Sequence, residues 1–123
     1  MNNYAFHVLR AGLAITFIWI GVLIFQDPAG WAAFIKPWAA DILFVSPERA
    51  IMGTAVFDIL VGVFLLVDFL TFWASLLASL HLISVLAVAG IDAITVRDIG
   101  LLAGALALAV FLWPSKKGLY LLK

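Results

Sequence analysis

Four long apolar runs fill nearly the whole chain, separated by short stretches in which prolines, aspartates and basic residues gather. Each run approaches the roughly 20 residues that a helix needs to cross the hydrocarbon core of a bilayer. The pattern predicts an all-α polytopic membrane protein, a four-helix transmembrane bundle with spans over residues 4–25, 47–67, 72–89 and 96–113. Only Asp58 and His81 place an ionisable group near the middle of any run.

Between the first two spans, residues 28–45 change character. Trp31, Phe34, Ile35, Trp38 and Ile42 recur at helical spacing, so one face is apolar and aromatic. Pro28 and Pro37 suit the first turns of two short helices better than the interior of one. The two tryptophans favour the headgroup boundary, and the segment is expected to lie at the interface rather than to re-enter the membrane. Ser46-Pro47 offers an N-cap and a first-turn proline for the second span. The short break at 68–71 forces a tight antiparallel hairpin, and Thr95-Val96-Arg97-Asp98 resembles a capping box opening the fourth span.

Composition strengthens the membrane reading. Hydrophobic residues make up 67% of the 123 positions, charged residues 11%, and mean hydropathy is +1.23. One small soluble core cannot hide that much apolar surface, and lipid is the solvent that suits it. Seven basic and seven acidic residues balance to zero without a basic run, so a nucleic-acid role lacks its electrostatic basis. The absence of cysteine excludes dithiol relays, thiolate metal sites and Fe–S clusters. Residues 1–9 carry no basic cluster before the first apolar run, so a retained helix is expected there instead of a removable signal peptide.

Four spans put both termini on one side of the membrane. Arg10, Lys116, Lys117 and Lys123 then face Lys36, Arg49 and Arg97 across it, a small excess that leans toward cytoplasmic termini. Tyr4, Trp73, Trp113 and Tyr120 fall at one boundary, and Trp31 and Trp38 at the other.

An ionisable group in hydrocarbon costs several kcal/mol unless it is paired, so Asp58 and His81 are the first candidates for chemistry. Asp58 shares a helical face with Thr54 and Gly62, a small and polar stripe suited to packing or to lining a cavity. His81 shares a face with Ser84. Both lie halfway down adjacent antiparallel helices, so a contact between them is allowed, and together they could relay a proton or hydrogen-bond a quinone carbonyl. Arg10 enters from the same side as the end of span two, and its long side chain could pair with Asp58 instead, as a purely structural ion pair. Candidate pocket residues are therefore Asp58, His81 and Arg10, with either pairing open.

Arg97 and Asp98 read as the cap and interface anchor of the fourth span, since an acid in a first turn favours the helix dipole. Gly100 and Gly104 form a GxxxG pattern, and Gly12 and Gly21 are expected to serve packing too. Haem held by two histidines of one chain is not expected, because the other histidine, His7, lies near the membrane edge, far in depth from His81. A metal site lacks enough ligands at one level.

Several segments together resemble the DoxX family of small four-helix membrane proteins. They are Leu9-Arg10-Ala11-Gly12-Leu13, Phe17-Ile18-Trp19-Ile20-Gly21, Asp27-Pro28-Ala29-Gly30-Trp31 and Val96-Arg97-Asp98-Ile99-Gly100-Leu101-Leu102. Their order and spacing carry the likeness over nearly the whole chain. The resemblance implies one four-helix domain over residues 1–123, with an arginine in helix one, an acid at position 58 and Arg97-Asp98 opening helix four. It also implies a prokaryotic cytoplasmic membrane and association with quinol- or thiosulfate-oxidising or redox-stress complexes. The chain departs from the family pattern with Ile24 where a lysine is common, Phe72 where an arginine is common, and aspartate for glutamate at 58.

Three functions compete on these grounds. The first is a small subunit or accessory of a quinone-linked membrane redox system, with quinone as the ligand and other subunits as partners; it is more an accessory than a stand-alone enzyme. The second is a small dimeric transporter or channel. The third is a noncatalytic assembly protein whose polar positions are caps and ion pairs.

Overall fold

The computed structural model describes residues 2–113, and these residues form six helices: α1 (Asn3–Gln26), α2 (Pro28–Ala32), α3 (Pro37–Asp41), α4 (Pro47–Leu66), α5 (Thr71–Ala89) and α6 (Arg97–Phe111). The molecule is all-α. Helices α1, α4 and α5 are each long and apolar enough to cross a membrane, while α6 has 15 residues. The lysines at 116, 117 and 123 and Tyr120, counted above for orientation, lie outside the described residues.

Local chemistry sets the helix ends. The Asn2 side chain accepts from the Ala5 N–H at 2.7 Å, the Asp27 carboxylate from the Gly30 N–H at 3.1 Å, and Ser46 Oγ from the Arg49 N–H at 3.3 Å. Each satisfies an orphan donor of a first turn, worth about 1 kcal/mol. Pro28, Pro37 and Pro47 each sit in a first turn, where the missing N–H is harmless. Between α4 and α5 the chain reverses with Asp68 and Leu70 in the left-handed region, at φ 56° and 52°.

The expected capping box before α6 does not form. Val96 holds the N-cap position without a side-chain bond, and the turn ahead of it is organised by Asp92, which accepts from the N–H groups of Ile94 and Thr95, both at 2.8 Å. Thr95 Oγ1 instead donates to the Gly90 carbonyl at 2.7 Å. An aspartate two to three residues upstream competes better for these amides because its turn is closed before the helix begins. Hydrogen bonds from the Thr95 and Ile94 amides, with Lys36 nearby, hold the Asp92 carboxyl below its ordinary 3.8. Such a group stabilises the fold above its unfolded value and loses that contribution as pH falls through the depressed one. Protection of the Ile94 and Thr95 amides, taken relative to intrinsic exchange at each pH, is therefore expected to fall only on acidification below pH 3.8; equal protection across that range would contradict this account.

Packing pairs α1 with α4 and α5 with α6, and α2 rests on α4. Gly21 and Gly62 let α1 and α4 touch. A Cβ at Gly62 would lie 2.5 Å from Ile18 Cγ1 and 2.9 Å from the Ala14 carbonyl oxygen, and one at Gly21 would lie 2.5 Å from Ile59 Cγ1. Gly12 and Gly100, expected to serve packing, have no neighbour within 4 Å of such a Cβ, so the Gly100 half of the GxxxG pattern is not a helix contact. On α5 the buried face is small and hydroxylated. Ser75 Oγ donates to the carbonyls of Thr71 and Phe72, and Ser79 Oγ to that of Ser75, so these polar atoms are satisfied within their own helix.

The two ends of the bundle differ. Toward the N-terminus, Phe6, Leu13, Leu65, Phe72, Leu108 and Leu112 close a solid apolar core. Toward the opposite face, the helices splay around a cavity that α2 and α3 cover.

Candidate functional site

The cavity has a volume of about 660 Å³ and is walled by the second half of α1, the first half of α4, the second half of α5 and the first turns of α6. Phe17, Ile20, Ile24, Leu82 and Val85 make its sides mostly apolar, and Trp31, Phe34 and Ile35 close over it. Asp58 and His81 lie at its inner end. The segment between α2 and α3 is tied down beside it, where the Lys36 N–H donates to the Val88 carbonyl at 2.8 Å.

The structure joins Asp58 to His81. Oδ1 of Asp58 lies 3.4 Å from Nε2 of His81, and the aspartate is only 4% exposed. Phe57 packs on the imidazole, with ring centroids 4.6 Å apart, which fixes the ring plane. Ser84 Oγ donates to the His81 carbonyl at 2.7 Å, and Thr54 Oγ1 to that of Ala50 at 3.3 Å, so the hydroxyls flanking the pair are anchored to their own helices.

Arg10 is not part of this cavity and does not pair with Asp58. Its guanidinium donates to the carbonyls of Leu65 at 2.6 Å and Leu66 at 2.9 Å, and Nε donates to His7 Nδ1 at 3.2 Å. Asp68 stands 3.9 Å away. The last carbonyls of α4 have no intrahelical partners and carry the negative end of the helix dipole, so they attract the cation before it can reach the carboxylate two turns deeper. Replacing Arg10 with glutamine is expected to lower stability by about 2 kcal/mol, the worth of hydrogen bonds from a charged donor, with partial recovery in Arg10→Lys. Unfolding in mixed micelles measures this; a wild-type midpoint for the glutamine variant would show that water satisfies these carbonyls equally well.

Arg97 and Asp98 line the cavity, with Asp98 half-buried, rather than serving only as a helix cap. These two residues, Thr16 and the α2–α3 wall are what sequence reasoning missed in the cavity. The apolar face of residues 31–42 signalled a surface needing cover, yet that signal is the same for headgroups and for the mouth of a cavity. His7 sits with Arg10, well apart from His81. Among the described residues, no group of three or more His, Cys, Asp or Glu side chains could hold a metal ion.

Chemically, the inner end pairs an imidazole nitrogen, a donor or an acceptor according to its protonation, with a buried carboxylate that can share its proton. Comparisons with curated proteins and with solved structures found no match. The family model for DoxX matches residues 5–98, and the chain, an integral membrane protein by its apolar helices, belongs to the DoxX family.

Proposed function

We propose that the cavity binds the head of a membrane quinone or quinol, and that the protein serves a quinone-linked membrane redox system as a small subunit or accessory. The observation that carries this reading is the Asp58–His81 contact at the inner end of a largely apolar cavity. A quinone head is a flat apolar ring with polar oxygens at its edge, and it suits apolar walls with one donor–acceptor pair at the end. His81 would hydrogen-bond a ring oxygen, and Asp58 would hold the imidazole and share its proton. Oxidation of a quinol to a quinone releases two electrons and two protons. The pair accepts one proton at a time, and the electrons pass to a redox centre in a partner subunit.

In this reading residues 1–123 form one domain with four spans. Helix α6 is the fourth, α2 and α3 lie at the interface over the cavity mouth, and both termini are cytoplasmic. The clustering of Trp31 and Trp38 on the α2–α3 side supports the interfacial placement.

The test uses purified protein in nanodiscs and a photoreactive short-chain quinone, with crosslinks located by mass spectrometry and affinity measured by competition. Saturable labelling of cavity residues is expected, weakened about tenfold in Asp58→Asn, which corresponds to roughly 1.4 kcal/mol. Labelling that never saturates, or that is unchanged by Asp58→Asn and His81→Leu, would sink the proposal. Cation flux through liposomes without quinone binding would favour a transporter.

A further inference from the structure

The cavity runs from an inner end at the Asp58–His81 pair toward the face that carries the 90–95 turn, and its acids are ordered along it. Among the described residues, none before Thr16 in α1, after Asp58 in α4, before His81 in α5 or after Leu101 in α6 lines it. Asp58 lies at the inner end, 4% exposed. Asp98 comes next, half-buried on the first turn of α6 and lining the same space. Asp92 follows in the turn ahead of α6, exposed. The titratable and charged groups that face Asp58 across the cavity are His81 from α5 and Arg97 and Asp98 from α6; α1 and the α2–α3 segment present none to it.

Beyond Asp58 toward the N-terminal face, the way is blocked. Among the described residues Leu13, Val61, Leu65, Ala78 and Leu108 form a packed apolar cluster there. Proton movement needs titratable groups or water at short intervals, and a packed apolar layer supplies neither. The buried hydroxyls of Ser75 and Ser79 lie in this half, but each donates to a backbone carbonyl, which cannot hand a proton on.

We infer that Asp98 is the relay carboxylate connecting the Asp58–His81 pair to water on the face opposite the N-terminus, so that protons at the pair exchange with that face alone. In each transfer the O–H bond of one carboxyl breaks as a bond to water or to the next carboxylate forms, and no electrons move. Asp98 is a positioning residue for proton access; it need not touch a ligand. The inference rests on the reading of Asp58–His81 as a proton-exchanging pair, and it does not require that the ligand be a quinone.

The test uses the full chain reconstituted in one orientation, with no quinone. Under a maintained pH gradient, reaction of Asp58 with dicyclohexylcarbodiimide, which adds to protonated carboxyls in membranes, is read by mass spectrometry. Labelling is expected to follow the pH of the compartment facing the 90–95 turn. After a pH jump on that side, the Asp58 carboxyl band in time-resolved infrared is expected to respond at least tenfold more slowly in Asp98→Asn, with Asp98→Glu restoring the rate and Ser75→Ala and Ser79→Ala leaving it unchanged. Labelling that follows the N-terminal compartment, absence of labelling at every pH, or a wild-type rate in Asp98→Asn would overturn the inference. If the route holds and quinone does not bind, only the ligand assignment falls.

Discussion

Gly62→Ala is expected to separate α1 from α4 and to lower stability by about 1–3 kcal/mol. The new Cβ would stand 2.5 Å from Ile18 Cγ1, 2.9 Å from the Ala14 oxygen and 3.0 Å from the Ile18 nitrogen. The isoleucine tip can turn away, but the two backbone atoms belong to a continuous helix and move only if all of α1 moves. In lipid there is little hydrophobic force to hold helices together, so close backbone approach is the main source of helix association. Overpacking typically costs about 1–3 kcal/mol, and the upper end applies where backbone is the obstacle. Gly21→Ala, facing Ile59 and the Ala55 carbonyl, is expected to behave alike. Gly12→Ala and Gly53→Ala meet nothing within 4 Å and should stabilise their helices by up to about 1 kcal/mol. Denaturant titration in mixed micelles separates the two groups; equal midpoints for Gly62→Ala and Gly12→Ala would show that the interface can open without loss.

The second large effect concerns the buried pair. In His81→Leu the Asp58 carboxyl, 4% exposed, loses the imidazole 3.4 Å away. Removing one member of a buried polar pair costs about 3–5 kcal/mol, because the group left behind remains desolvated. Asp58→Leu strands the imidazole in turn, at roughly 1–3 kcal/mol. The double variant Asp58→Leu/His81→Leu leaves nothing unpaired, and the neighbouring cavity has room for the larger side chain at 58. Its stability should lie closer to the wild type than that of His81→Leu, a coupling of at least about 1 kcal/mol. Quinone labelling and carboxyl exchange should both be absent from it. Strictly additive losses would mean that the two side chains merely stand near each other. A stable double variant that still binds quinone would separate the pair from the site.

Much of this architecture was legible in the chain. The apolar runs mark α1, α4 and α5 within one residue of their ends, because a helix in lipid satisfies every backbone group internally and needs only a long enough apolar stretch. Pro28, Pro37 and Pro47 announce three helix starts, since proline is harmless in a first turn and disruptive later. The Asp58–His81 contact followed from depth alone as one of two options. What chose between them was the claim on Arg10. Arginine has a long reach and several partners within it, and the carbonyls of Leu65 and Leu66 outcompete a carboxylate farther along the same helix. Nothing in the spacing of residue types expresses that competition.

The glycines make the same point from the packing side. Gly12, Gly21, Gly62 and the GxxxG pair at 100 and 104 all read as packing positions, yet the close crossing of α1 and α4 runs through Gly21 and Gly62 while Gly12 and Gly100 meet nothing. Which glycine meets a neighbour depends on helix rotation, a property of the assembled bundle. Arg97 and Asp98 likewise face a cavity or headgroups according to how α6 is turned against α5.

The chain by itself determined the solvent, the helices and the depth of each polar group, because these depend on local composition and on the rise of a helix. Only the tertiary structure decided that Asp58 meets His81, that Arg10 belongs to the end of α4, and that one half of the bundle is solid and the other hollow. Those outcomes depend on distances of a few ångströms between helices far apart in sequence, set by two glycines and the rotations they permit.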